Sequence, residues 1–280
     1  MRRWERRRIA AVTLVVLPLA AAGFAQAPRT RAAPARNPIL FVHGWQGDAG
    51  QWRTMMARFR SDGWSEAELF AWTFDDRQSN AAIAARISAR IDQVLAATGA
   101  SRVDVVTHSM GSLSTRYYLK NLARPGRVDA WASLGGPNHG TQAAWLCFSP
   151  ACREMRPGSA FLTTLNRDDE TPGAARYATW WSPCDEIVEP SSVALDGAEN
   201  HPAPCVGHLG LLSDTAVYRQ VRDFVSGPAI LVHAQHPRSP LQDPGIGANA
   251  ELTRPTRGEA AVSTARVAAR PLPRRWRWRR

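Results

Sequence analysis

A serine at a sharp turn between a strand and a helix exposes its hydroxyl above the sheet, beside the free amides of the helix N-terminus. Thr107-His108-Ser109-Met110-Gly111 has this form. The apolar run Val103–Val106 precedes it, and Leu113, Tyr117 and Tyr118 follow at spacings that suit a buried helix face. Such a serine can attack an acyl carbonyl, and the N–H of the next residue, Met110, then faces the developing oxyanion. Gly111 lets strand and helix pass closely, whereas Thr107 stands where the G-x-S-x-G pattern has glycine. Alone, the pentapeptide also reads as a plain strand-to-helix turn with serine as its N-cap. Phe41-Val42-His43-Gly44-Trp45-Gln46-Gly47 follows an earlier apolar run, where the same architecture draws its second oxyanion donor. The N–H of Trp45 is assigned that role, and His43 reads as a structural hydrogen-bonding group of the loop.

A base and an orienting acid would complete the site, in the chain order serine, acid, histidine. Seven histidines are available, and order removes most of them. His43 and His108 precede the serine, and His233 and His236 lie in the basic segment near the end of the sequence. His139, in Gly135-Gly-Pro-Asn-His-Gly-Thr141, comes too early to leave room for the acid, and His201, in Asn-His-Pro, reads as a turn residue. His208, in Val206-Gly-His-Leu-Gly-Leu-Leu212, sits just ahead of a helical pattern and is the candidate base. The candidate acid is Asp185, in Cys184-Asp-Glu-Ile-Val188, which follows a predicted strand. Glu186 and Glu189 are the alternatives, and Asp196, in Leu-Asp-Gly, reads as an Asx-turn residue.

The elements that must position these groups alternate in type. Apolar runs at Ile39–Val42, Val103–Val106, Val128–Leu134 and Arg176–Trp181 predict strands. Helical periodicity appears at Ile83, Ile87, Ile91, Val94 and Leu95, and again at Val217, Val221, Phe224 and Val225, with Ser213 or Asp214 placed to cap the second helix. This alternation predicts one α/β domain with a mostly parallel sheet, helices on both faces, and ligands beyond the carboxyl ends of the strands.

The chain has 280 residues, 44% hydrophobic and 21% charged, which excludes bulk disorder, collagen and coiled coil. The net charge of +11 belongs to the two ends. Residues 1–27 hold five Arg and one Glu, residues 228–280 hold ten Arg and three acidic residues, and the stretch 28–227 balances at 20 basic and 20 acidic residues. The basicity therefore gives no nucleic-acid face to the fold. Residues 1–27 read as a signal peptide: a cationic start, an apolar stretch from Ile9 to Phe24, and Ala25-Gln26-Ala27 as a cleavage site. Residues 228–280 are rich in Pro, Ala and Arg and are expected to be a disordered tail. The four cysteines are an even number without a C-x-x-C pair, a pattern that fits export better than zinc.

Taken in order, His43-Gly-Trp, Thr-His-Ser109-Met-Gly, Gly135-Gly-Pro-Asn-His-Gly-Thr141, Asp185-Glu-Ile-Val, Leu195-Asp-Gly-Ala-Glu-Asn200 and Val206-Gly-His208-Leu-Gly-Leu-Leu resemble the small secreted bacterial lipases of class 2. The resemblance runs from about Pro38 to Val225. It implies a compact α/β-hydrolase fold without a large cap domain, and hydrolysis of acylglycerol esters. The triad would be Ser109, Asp185 and His208, with the amides of Trp45 and Met110 as oxyanion donors. Neither a cofactor nor a metal has a role in that chemistry, and the partner is a lipid or ester substrate met at a lipid–water interface, with no nucleic acid and no stable protein partner. The acyl groove should be open, its wall including the side chains of Trp45 and Met110 unless these are core packing. Other acyl transfers on the same fold, and a non-catalytic lipid-binding protein, are the competing readings. If Asp185 and His208 are hydrogen-bonded, their loops are neighbours, and Cys184 can then pair with Cys205, leaving Cys147 with Cys152.

Overall fold

Short runs rich in β-branched, aromatic and other apolar residues form four of the six strands of a computed structural model that describes residues 36–227. The expected signal peptide and the basic segment 228–280 lie outside the described residues. The strands are β1 (Ile39–Val42), β2 (Leu69–Ala71), β3 (Val103–His108), β4 (Val128–Leu134), β5 (Arg176–Trp181) and β6 (Glu199–Pro202). They pair in the order β2-β1-β3-β4-β5-β6, every pair parallel. Parallel neighbours need crossovers, and helices supply them. In chain order, α1 (Arg53–Ser61) leads to β2, α2 (Asn80–Thr98) to β3 and α3 (Gly111–Asn121) to β4. The short α4 (Pro150–Glu154) and α5 (Ala160–Leu165) precede β5, α6 (Pro190–Val193) precedes β6, and α7 (Thr215–Val225) follows it.

The inner strands β1, β3, β4 and β5 bury both faces because successive side chains point to opposite sides. Leu40 and Val42 of β1 pack with Ile83, Ile87 and Ile91 of α2 and Leu113 of α3. Ile39 and Phe41 pack with Met55 and Phe59 of α1 and Val217 and Val221 of α7. The helix ends follow local side-chain chemistry. Ser79 accepts the N–H of Ala82 at 3.2 Å to open α2, and Asp214 accepts those of Ala216 and Val217 at 2.8 and 2.9 Å to open α7.

Two strands escape the apolar-run criterion. β2 has three residues, and β6 is a polar edge strand, mostly exposed. His201, expected in a turn, lies on β6, where its ring stacks on Trp180 with centroids 5.0 Å apart. An edge strand has one unpaired side and needs no apolar run. Asn200 fixes this one by accepting from Thr179 Oγ1 at 2.7 Å and from the N–H of Leu195 at 3.0 Å.

The strand order places the functional end. The chain runs from β1 outward to β2 and returns to β3 on the other side of β1. Val42 is level with Thr107, so the loops that leave β1 and β3 begin side by side at the carboxyl edge. Crevices at such reversals hold ligands in open α/β sheets.

Candidate active site

Ser109 directly follows β3 with φ of +54°, a left-handed conformation that L-residues rarely adopt. Its N–H donates to the carbonyl of Leu134 at 3.0 Å, and its carbonyl accepts from Ser112 at 2.9 Å, so strand β4 and the first turn of α3 hold it there. The close passage demands glycine at 111, where a Cβ would come 2.6 Å from the His43 carbonyl and 2.7 Å from Thr107 Oγ1. Thr107 is accommodated, fully buried, by the space Gly111 leaves. Among the described residues the N–H groups of Met110 and Trp45 donate to no protein acceptor, as the first amides of a helix and of an irregular loop can. The Trp45 loop is itself fixed. Gln46 also has positive φ, its N–H donates to the Asp76 carboxylate, and Gly47 N–H donates to the Gly44 carbonyl at 3.2 Å.

Asp185 follows β5, and His208 opens the turn that leads to α7. His208 Nδ1 lies 2.8 Å from Asp185 Oδ2, with side-chain exposures of 7% and 1%, so the pair is closed off from water. The other oxygen, Oδ1, accepts the N–H groups of Ile187 at 2.9 Å and Val188 at 2.8 Å. Burial pushes this carboxyl's pKa up. The bond and charge of His208 and the two amides outweigh burial and leave it below the usual carboxylate range.

The loops carrying the pair are stapled twice. Cys184 and Cys205 form a disulfide with Cα atoms 4.9 Å apart, and Cys147 and Cys152 form the second, at 5.7 Å. Both pairings match the expectation. Ser182 adds a staple that sequence reasoning missed: its Oγ accepts from the N–H groups of Cys184 and Val206 at 3.1 and 3.0 Å and lies 2.6 Å from the Val206 carbonyl. The available signal was a serine two residues before a loop amide, the spacing of a hydroxyl turn.

The other histidines among the described residues have partners of their own, and His233 and His236 lie outside those residues. His43 stacks on Phe74 at 3.8 Å and accepts its N–H at Nε2, so Nδ1–H donates to the Gly44 carbonyl at 2.8 Å. Burial holds its pKa below the ordinary value. His139 Nε2 meets Glu170 at 2.9 Å. His108 is fully enclosed, and burial, with His208 nearby, lowers its pKa to about 3. It is therefore neutral, and its Nε2–H donates to the backbone carbonyl of His208 at 3.1 Å. Of the alternative acids, Glu186 bonds the backbone N–H of His208 at 3.0 Å rather than its ring, Glu189 sits exposed at the start of α6, and Asp196 lies in a turn.

Ser109 and His208 line one cavity of about 390 Å³. Its apolar wall includes Trp45, Ala144, Leu146, Met155, Ile187 and Leu209. Met110, expected on that wall, is instead buried in the core beneath the sheet loop, because the first turn of α3 directs its side chain inward. Of the lining residues, Leu146 and Leu209 are 86% and 68% exposed.

Comparison with known proteins agrees with this architecture. A family model described as Lipase (class 2) matches residues 36–204. A triacylglycerol lipase of Burkholderia plantarii is 31% identical over 160 residues, covering 51% of this chain and 43% of the relative. A triacylglycerol lipase of Pseudarthrobacter phenanthrenivorans is 30% identical over 121 residues, covering 40% and 36%. The chain thus spans less than half the length of the curated relatives it matches. Among solved structures, mature Bacillus licheniformis lipase BlEst2 superposes with a TM-score of 0.61 at 17% identity, over 71% of this chain and 96% of that one. Aspergillus fumigatus lipase B gives 0.57 at 19% identity, over 69% and 55%. The shared fold is that of the α/β-hydrolase lipases.

Proposed function

This chain belongs to the class 2 lipase family, and from that premise we propose that it hydrolyses carboxylic esters of acylglycerols through an acyl-enzyme on Ser109. The observation that carries the reading is the water-excluded Asp185–His208 pair at 2.8 Å, whose histidine lines the same cavity as the serine. His208, held in one tautomer by Asp185, takes the proton of Ser109 as its oxygen attacks the ester carbonyl. The amides of Trp45 and Met110 receive the charge of the tetrahedral oxyanion, a role in which one donor contributes about 3–4 kcal/mol. Collapse expels the alcohol, which takes the proton from His208. Water, activated by the same histidine, then releases the carboxylic acid and restores the serine.

A lipid substrate is supported by the apolar wall and by the exposed side chains of Leu146 and Leu209 on it, a surface suited to an aggregated ester rather than a dissolved one. Export of the chain is supported by its two disulfides, which persist in oxidising compartments. The test is turnover of p-nitrophenyl esters from acetate to palmitate, and of emulsified triglyceride, by the wild type and by Ser109→Ala. The variant is expected to lose about 10⁴-fold or more in kcat while keeping its fold. Retained turnover would falsify the assignment.

A further inference from the structure

The base of the proposed reaction is held at each of its polar groups except the nitrogen that would face the serine. Asp185 takes Nδ1 at 2.8 Å, and His108 Nε2 donates to the backbone carbonyl at 3.1 Å. The backbone N–H donates to Glu186 Oε2 at 3.0 Å. This last contact is unusual for its residue type. Glu186 is an exposed carboxylate that forms no ion pair among the described residues, yet it folds back onto the backbone of the neighbouring loop. Gly207 is what lets it approach, since a Cβ there would stand 2.9 Å from Glu186 Oε2. The N–H concerned opens a helical turn and has no acceptor within it, so without Glu186 it would be left to water.

Resting on the function proposed above, we infer that Glu186 is a positioning residue for His208: its carboxylate fixes the backbone of the base, as Asp185 fixes the ring. The two acids are adjacent in sequence, so one loop sets both the tautomer of the imidazole and the place from which it reaches the serine. A base misplaced by a fraction of an ångström slows proton transfer without changing how substrate enters the cavity. The effect belongs to kcat rather than KM.

The test compares Glu186→Ala and Glu186→Gln with the wild type on p-nitrophenyl butyrate, with thermal unfolding measured alongside. Glu186→Ala is expected to lower kcat about tenfold, the scale of one lost charge-assisted hydrogen bond, whereas a change in KM alone would report only the place of Glu186 in the cavity wall and would overturn the inference. Glu186→Gln keeps an oxygen that accepts the N–H and should restore kcat to within about twofold. Wild-type kcat in Glu186→Ala, with or without a lower melting temperature, overturns the inference and leaves the proposed function standing. A Gln variant as slow as the Ala variant overturns it too, because the hydrogen bond would then not be what matters. No ester turnover by the wild type overturns the proposed function and this inference together.

Discussion

Gly44 and Ser109 stand so close across the carboxyl ends of β1 and β3 that a Cβ on the glycine would lie 2.7 Å from the serine Cβ and 3.3 Å from its Oγ. The level register of Val42 with Thr107 imposes this proximity, and glycine is the residue that tolerates it. Gly44→Ala must therefore push either the serine or the Trp45 loop out of place. A loss of about 100-fold in kcat is expected, the scale of a 1 Å displacement or one lost oxyanion donor. The melting temperature should fall far less, since the strain falls on the loops that leave β1 and β3 rather than on the strands and helices of the core. Steady-state kinetics beside a thermal melt separate the two. A variant with wild-type kcat would show that neither the serine nor the Trp45 amide is set by this contact.

Asp185→Asn keeps the shape of the acid and the acceptor for the Ile187 and Val188 amides, but an amide facing His208 Nδ1 no longer enforces the tautomer. Turnover should drop by about 10³–10⁴-fold at neutral pH. Glu189→Gln, at an exposed helix start, should stay within about twofold of wild type. Reversal of that order would move the acid to the neighbouring element. The wild-type carboxyl is held below its ordinary range, so its contribution to stability is present above the unfolded value and fades only as pH falls through the lower folded value.

The sequence showed this architecture where a residue's role is local or periodic. Four strands and the helices α2, α3 and α7 were readable because burial on two sheet faces and on one helix stripe leaves a repeating pattern, and the cap of α7 was narrowed to Ser213 or Asp214. Asp185 and His208 were reached through chain order, and their adjacency in turn pointed to the Cys184–Cys205 bridge. Residues that act through distant backbone left no such trace. Ser182 looks like any loop serine, and Glu186 looked like a rival acid until its partner proved to be the backbone N–H, 22 residues on, of the same base. Met110 shows the converse limit: its amide position follows from the motif, but the direction of its side chain depends on how α3 packs.

The Cys184–Cys205 bridge joins residues 21 apart, directly before Asp185 and three positions before His208. Closing a loop of that size contributes about 3 kcal/mol in the chain-entropy account. A Cys184→Ser, Cys205→Ser double variant should thus melt several degrees lower. The Ser182 bonds still connect the loops, so the folded state should persist at room temperature with kcat reduced. Activity measured well below the new melting point decides the matter: undiminished kcat would confine the bridge to stability. The Cys147–Cys152 bridge closes a short turn in the wall of the cavity that Ser109 and His208 also line, without joining the loops of Asp185 and His208, so its double serine variant should change KM for soluble esters more than kcat.

At the opposite end of the sheet, Asp104 makes a pH dependence that has nothing to do with Ser109, Asp185 or His208. It lies where the β3–β4 register shifts, and its Oδ1 accepts the N–H of Ala130 at 3.1 Å, filling the gap in the ladder, while Asn37 donates to the same oxygen at 3.2 Å. Burial raises its pKa to about 7, helped by the charge of Asp129, while Asn37, Arg176 and the Ala130 amide act in the other direction. Asp129 is itself paired with Arg102 and Arg176 at 2.9 Å each. With the folded value above the unfolded one, the folded state holds the extra proton between about pH 4 and 7. Stability from this group is therefore full in acid and is lost as pH rises through 7, by at most about 4 kcal/mol at 1.36 kcal/mol per unit. Asp104→Asn retains the Oδ1 acceptor and carries no charge, so it should be more stable than wild type at pH 8–9 and should lose the advantage by pH 4. Urea unfolding of both proteins across that range reads the difference directly. Parallel stability curves would mean that Asp104 ionises at its ordinary value despite its burial.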